Sequence, residues 1–406
     1  VSGSVTTNTY VLNMYRQEYQ IIARANQIFA SIDDVDFDED SKNNIKGQAY
    51  FLRAYAYFEL VRLFGAVPLH LTPVTTREEA ALPLTSVDSI YDQIISDASQ
   101  AVSLLPLKSV QETGRVTSGA AETLLANVYI VLKNWSAAQT LLDDVVQSGE
   151  YSLMADYNDA FSESASNKNN AESVFEVQFL EGSEGYNSSF IYSFLPRPMT
   201  ADELESIVGV SNPQSLTGEG NNIPTPDIIN AYEDNDERKD ASIAYITLST
   251  SLRTNKVFPY IKKYAKTHSV YGITGTDWPV YRYAEVLLFL AEALNEQGEP
   301  AKAATYINMV RSRAGLGATT AASQADMRSA IFQERRVELA FENKRWFDLV
   351  RADSVNSVIT AYGARVVASP ADYYYSSDAE PPSNAFTNLD TLYPLPADES
   401  DLTPYF

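Results

Sequence analysis

The sequence predicts a mostly α-helical protein of packed helix pairs, interrupted by a loop-rich region with a few short strands. Three observations point there. Apolar residues recur at helical spacing through most of the segment from Leu12 to Val145. One helix-pair pattern occurs twice. The stretch between the two copies, Tyr151 to Tyr271, is rich in Asn, Ser, Gly and Tyr, with few helical patterns.

Leu12–Ile32 reads as the first helix, with Tyr19, Ile22, Ala23, Asn26 and Phe29 on helical spacing. The acidic loop DDVDFDED follows. Its Asp34, Asp36 and Asp38 alternate as at the start of a calcium loop, but Glu39 stands where that loop needs glycine and Ile45 where it needs glutamate, which favours a solvated acidic loop. In the next helix Ile45, Ala49, Leu52, Ala56, Leu60 and Leu63 form one face, and Tyr50, Tyr55, Tyr57, Phe58, Val61 and Phe64 make most of the remainder apolar. Such a helix is expected to be buried on several sides. Gly65 and Pro68 end it.

Thr85 and Asp88 form a capping-box pattern ahead of a helix through Ile90, Ile94, Ala98, Ala101 and Leu105. Ala126, Tyr129, Ala138, Leu142 and Val145 then have the spacings of small and large packing residues in a tetratricopeptide unit. Ala291, Leu294, Ala303, Ile307 and Val310 repeat that pattern further along. With two less regular pairs, this makes four paired-helix units. FEVQF at Phe175–Phe179 reads as a strand.

Four segments together carry a family resemblance. They are GQAYFLRAYAYFELVRLFGAVPL from Gly47, DWPVYRYAEVLLFLAEALN from Asp277, IFQERRVELAFENKRWFDLVR from Ile331, and LYPLPADESDLTP from Leu392. Pro226–Asp240, a short helix followed by an acidic turn and a basic residue, adds a fifth. In content and order they resemble the SusD/RagB family of nutrient-binding outer-membrane lipoproteins of the Bacteroidetes. The resemblance implies a single SusD-like domain over 1–406, with a helical scaffold at about 10–149 and 279–353, a ligand-facing loop region at about 150–278 and an extended segment at 354–406. It also implies a surface-exposed lipoprotein that captures an oligo- or polysaccharide and passes it to a SusC-type TonB-dependent transporter without breaking a bond. The family's signal peptide and lipidated cysteine are not in the given sequence, so the natural N-terminus is expected to lie further upstream.

Composition narrows the chemistry. A net charge of −23 argues against nucleic acid and against charge-driven docking on anionic membranes. The absence of cysteine excludes thiolate metal sites and a cysteine nucleophile. His70 and His268 lie in no triad or metal-ligand pattern, and no phosphate-binding glycine loop is present, so no cofactor and no metal is expected. Glu334, Glu338 and Glu342 lie four apart on one helical face, but Arg335, Arg336 and Arg345 within helical reach point to structural ion pairs.

Aromatic residues are abundant, with 26 Tyr, 17 Phe and 3 Trp, and rings stack on the apolar faces of sugars. The candidates for ligand binding, in or beside the irregular region, are Trp278, Tyr271, Tyr186, Tyr192 and Arg197, with Tyr373–Tyr375 as a further cluster. Trp135 and Trp346 are expected in the core. The loop HLTPVTTREEAALPL has no aromatic residue, which speaks against the arc of aromatics used by starch-binding relatives. The rival readings are a glycan-cleaving enzyme using loop carboxylates such as Asp227, Glu233 or Asp236, a protein-binding adaptor, and a peptide-capturing protein.

Overall fold

The computed structural model describes residues 6–161, 168–218, 222–250, 256–375, 381, 386–387 and 389–405. It forms two compact units, Val1–Glu150 with Asn388–Phe406, and Tyr151–Thr387.

The first unit is helical. Helix α1 (Thr9–Ser31) begins three residues before the expected Leu12 because the Asn8 side chain accepts from the N–H groups of Tyr10 and Val11. Helix α2 (Glu39–Phe64) is capped by Asp38, whose carboxylate accepts from Ser41 N–H, and it ends at Gly65 with φ 73°. One of the alternating aspartates is therefore a helix cap, and the neighbouring Asp33 pairs with Lys46. No group of three or more carboxylate or histidine side chains converges as a metal site among the described residues. Helix α3 (Val87–Leu104) is capped by Ser86, one residue past the expected Thr85. Helices α4 (Ser118–Val131) and α5 (Trp135–Gln147) form the first predicted repeat pair, and its Ala126, Ala138, Leu142 and Val145 are buried. Tyr129 and Trp135 are only half-buried, so Trp135 is not a core residue.

Helix α2 packs on α1 and α3. Phe51, Ala54, Tyr57, Phe58 and Leu60 are fully enclosed, as a helix apolar on most sides requires, whereas Leu52 is 36% exposed. Each large side chain buried in this way contributes roughly 1.5–3 kcal/mol. A Cβ on Gly47 would lie 2.8 Å from Leu105 Cγ, so glycine permits the close approach of α2 to the chain leaving α3. One charged residue lies within this packing: Arg53 donates from Nε and Nη2 to the two Asp97 carboxylate oxygens at 2.7 and 2.8 Å, and from Nη1 to Asn26 Oδ1.

The second unit combines helices with two small antiparallel sheets. Strands β1 (Ser173–Val177) and β4 (Trp278–Arg282) pair, with Val177 opposite Trp278; β2 (Ile243–Thr247) and β3 (Val257–Ile261) pair, with Ile243 opposite Ile261. The strand expected at Phe175–Phe179 thus forms two residues earlier. Helices α6 (Tyr283–Glu296) and α7 (Pro300–Arg313) form the second repeat pair, with Ala291, Leu294, Ala303, Ile307 and Val310 all buried. Helix α8 (Gln324–Glu338) packs on both, and the shorter α9 (Arg345–Arg351) and α10 (Val355–Ala368) follow. Tyr157, Ile191, Leu195, Leu204, Phe258 and Tyr264 belong to an apolar cluster beneath the irregular region.

Asp97→Ala leaves the Arg53 guanidinium buried without its carboxylate, which costs about 3–5 kcal/mol. Chemical denaturation should show that loss, and a change below about 1 kcal/mol would mean that packing alone holds this helix group.

Candidate functional site

Two features dominate the second unit: a buried network of charges and an open cavity beside it. The network centres on Glu338 at the end of α8. Glu338 Oε1 accepts from Arg282 at 2.9 Å and Arg313 at 2.6 Å, and Oε2 accepts from Arg238 at 3.0 Å. Arg238 also reaches Glu334 at 2.6 Å and both oxygens of Asp236. Arg282 grips Glu342 at 2.7 and 2.9 Å and pairs with Glu172, while Lys263 donates to Glu342 at 2.8 Å. All these side chains are essentially out of solvent.

The expectation that Glu334, Glu338 and Glu342 are structural ion-pair partners holds, but their cations come from other elements. Arg335 instead pairs with Asp348 and Glu285, and among the described residues Arg336 and Arg345 donate only to the backbone carbonyls of Asp227 and Phe332. Burial alone would raise the Glu338 carboxyl, but Arg313, Arg282 and Arg238 outweigh it and hold it well below the usual carboxylate range. Burial pushes the Lys263 ammonium down to about 8, against the opposing pull of Glu342.

The cavity encloses about 690 Å³. Strand β4 presents Trp278 to it, helix α9 presents Arg345 and Trp346, and the turn between α8 and α9 presents Phe341, Asn343 and Lys344. Phe194, Asp227, Tyr362 and Arg365 complete much of its wall. Trp346 is therefore a half-buried wall residue, not the core residue its helical setting suggested. Trp278 is held by stacking on Tyr264, with ring centroids 5.4 Å apart, and by the edge of Phe190. Asp227 is fixed by the Tyr373 hydroxyl at 2.6 Å and by Arg365. Aromatic faces, amides and charged groups on one concave surface suit a ligand with apolar faces and many hydroxyls.

The other four candidates lie elsewhere in this unit. Tyr192 is buried; its hydroxyl meets His268 Nε2 at 2.6 Å and accepts from Gly272 N–H. Tyr271 packs on it with centroids 4.7 Å apart, and Arg197 donates to the Tyr192 and Thr217 carbonyls. The structure therefore brings Tyr192, Tyr271 and Arg197 together, with His268 as a partner the sequence did not suggest. Tyr186 is 67% exposed. The three loop carboxylates are all engaged: Asp227 as described, Glu233 by Arg311 at 2.6 Å and Asp236 by Arg238.

Two family models match the chain in succession, one described as starch-binding and associating with the outer membrane over residues 3–130, the other as the SusD family over residues 242–405. The chain belongs to the SusD family. Among its relatives, the SusD-like protein P2 of Formosa agariphila is 29% identical, the match covering 97% of this chain and 78% of that protein. A SusD superfamily protein from Bacteroides vulgatus superposes with a TM-score of 0.76 at 25% identity, covering 99% of this chain and 85% of that one. A laminarin-binding SusD-like protein superposes with a TM-score of 0.75 at 24% identity, covering 96% and 84%. In this SusD-family chain the cavity residues Trp346, Arg345 and Asn343 escaped the sequence reading because they lie inside a segment read as a helix anchor. The signal that marks them is the non-periodic ENK between two helices, where a turn frees side chains from the core.

Glu338→Gln should destabilise the second unit by about 3–5 kcal/mol at neutral pH, because three guanidinium groups lose their shared counter-charge. A carboxyl whose folded pKa lies below its ordinary value of 4.5 adds stability above that value and loses it as pH falls through the folded pKa. The gap between wild type and variant in denaturant titrations should therefore narrow from pH 7 to pH 3, and a gap independent of pH would refute this assignment.

Proposed function

We propose that this protein binds an oligo- or polysaccharide in the cavity of the second unit and passes it, uncleaved, to an outer-membrane transporter. The observation that carries this reading is the placing of Trp278 and Trp346, with Asn343 and several charged groups, on one cavity of about 690 Å³. That volume suits a few sugar rings, whose C–H faces stack on indole while their hydroxyls bond to amides and guanidinium groups. Membership of a family described as starch-binding and outer-membrane-associated supports the ligand class, as does the laminarin binding of a protein with the same fold.

Delivery to a SusC-like TonB-dependent transporter and anchoring at the cell surface by an N-terminal lipid complete the proposal. Family membership is what supports both. The paired helices supply surfaces on which a protein partner can dock. Our proposed accessory contact is exposed Tyr186 with Tyr271 and Arg197, the last two held by buried Tyr192.

Calorimetry against a panel of neutral and charged glycans, with product analysis of the same samples, tests the reading. Binding without cleavage is expected. Trp346→Ala should weaken it about tenfold or more, the loss of one buried aromatic anchor. Tyr186→Ala should weaken longer oligosaccharides more than short ones. Cleavage of any panel member, or unchanged affinity in Trp346→Ala, would overturn the proposal.

A further inference from the structure

Among the described residues, every charged side chain on the cavity wall except Asp227 is a cation: Arg335, Arg336, Lys344, Arg345 and Arg365. Three of the five are balanced. Lys344 lies 2.9 Å from Glu285, Arg365 pairs with Asp227, and Arg335 is shared by Asp348 and Glu285.

Arg336 and Arg345 have no carboxylate within ion-pair distance among the described residues. Arg336 donates to the Asp227 carbonyl at 2.8 Å, and its nearest acid is already taken by Arg365 and the Tyr373 hydroxyl. Arg345 lies over the Phe332 ring at 4.0 Å and, among the described residues, donates only to that residue's carbonyl, at 3.3 Å. Arg335 is 2% exposed, yet its Nη1 has no hydrogen-bond partner among the described residues, leaving buried donor capacity on the same wall. Burial pulls the Arg336 guanidinium down and pulls Arg345 down to about 10. Unpaired guanidinium groups in a concavity incur a desolvation penalty that an incoming anion relieves.

From this geometry we infer that the cavity selects glycans bearing carboxylate or sulfate groups, the anion being held by Arg336 and Arg345. The inference rests on the glycan-binding reading and names its ligand class. Planar guanidinium forks match the oxygens of a carboxylate or sulfate in pairs, and partial burial strengthens the bond over its value in water. The acidic exterior acts at long range, whereas the selecting charges are local to the cavity.

The test pairs each charged glycan with its masked form in calorimetric titrations of the full chain. Galacturonate oligosaccharides are compared with their methyl esters, and sulfated galactan oligosaccharides with their desulfated forms, which separates carboxylate from sulfate recognition. At least one charged member should bind about tenfold or more tighter than its masked partner, with affinity falling as NaCl rises. Arg336→Gln and Arg345→Gln should each erase most of that preference, lowering the affinity of the charged member about tenfold more than that of its masked partner. Arg345→Lys should retain part of it, and Arg24→Gln, which removes an exposed charge in the first unit, should change nothing. Should a glutamine variant fail to fold, the masked-ligand and salt comparisons on wild type still decide. Equal affinity for masked and charged forms overturns the inference and leaves glycan binding standing, whereas silence across both sets overturns both.

Discussion

The second unit depends on one carboxylate, Glu338, held by three guanidinium groups in a site without solvent. Taking such charges out of water costs several kcal/mol each, and the attraction repays that only when every partner is in place. Arg238, Arg282 and Arg313 come from a short helix, a strand end and a helix terminus far apart in sequence. A topology that misplaced any of them would bury an unpaired charge. The network therefore excludes alternatives more strongly than it adds stability, a role that apolar packing, being non-directional, cannot fill.

The same charges shape the cavity. Directly after Glu338 the chain turns through Phe341 and Asn343 with φ of 69° and 58°, a left-handed conformation uncommon outside glycine. Glu342 lies between them and is gripped by Arg282 and Lys263. Those contacts hold a strained turn that would otherwise relax. Because Glu342 is turned into the network, its neighbours Phe341, Asn343 and Lys344 are left to the cavity wall. Binding surface and buried charge are thus two sides of one turn, and disorder in the network would blur the wall.

The helices were legible because their apolar spacing is local: α2, the two repeat pairs and the stop at Gly65 all follow from residues three or four apart. The cap at Ser86 and the early start at Asn8 shifted boundaries only, since neighbouring polar residues compete for the capping position. The ion pairs were legible in kind but not in partner. Helical spacing offers Arg335 and Arg336 to the three glutamates, whereas the fold supplies Arg238, Arg282 and Arg313, whose proximity no local rule encodes. Trp346 was misplaced for a related reason. Its helix α9 has only seven residues, too short for periodicity to say which face is covered. Of the aromatic loop candidates, composition could nominate Trp278 and Tyr271 but not reveal that Trp278 lines the cavity while Tyr271 packs on Tyr192.

Charge shows the same contrast between global and local. A net charge of −23 reads as a protein that repels anions, and at long range it does. In physiological salt, however, exposed charges are screened beyond about 8 Å, so the outer carboxylates act weakly on a group already inside the cavity. There the relevant charges are Arg336 and Arg345, neither of which has a carboxylate within ion-pair distance among the described residues. The exterior then governs how often an anionic glycan arrives, and the cavity governs how long it stays. Raising ionic strength should speed the first by screening repulsion and shorten the second by screening attraction, so association and dissociation rates both increase with salt. A neutral ligand stacked on the same tryptophans has neither dependence, which makes the paired rates, more than affinity alone, the signature of an anion held in this wall.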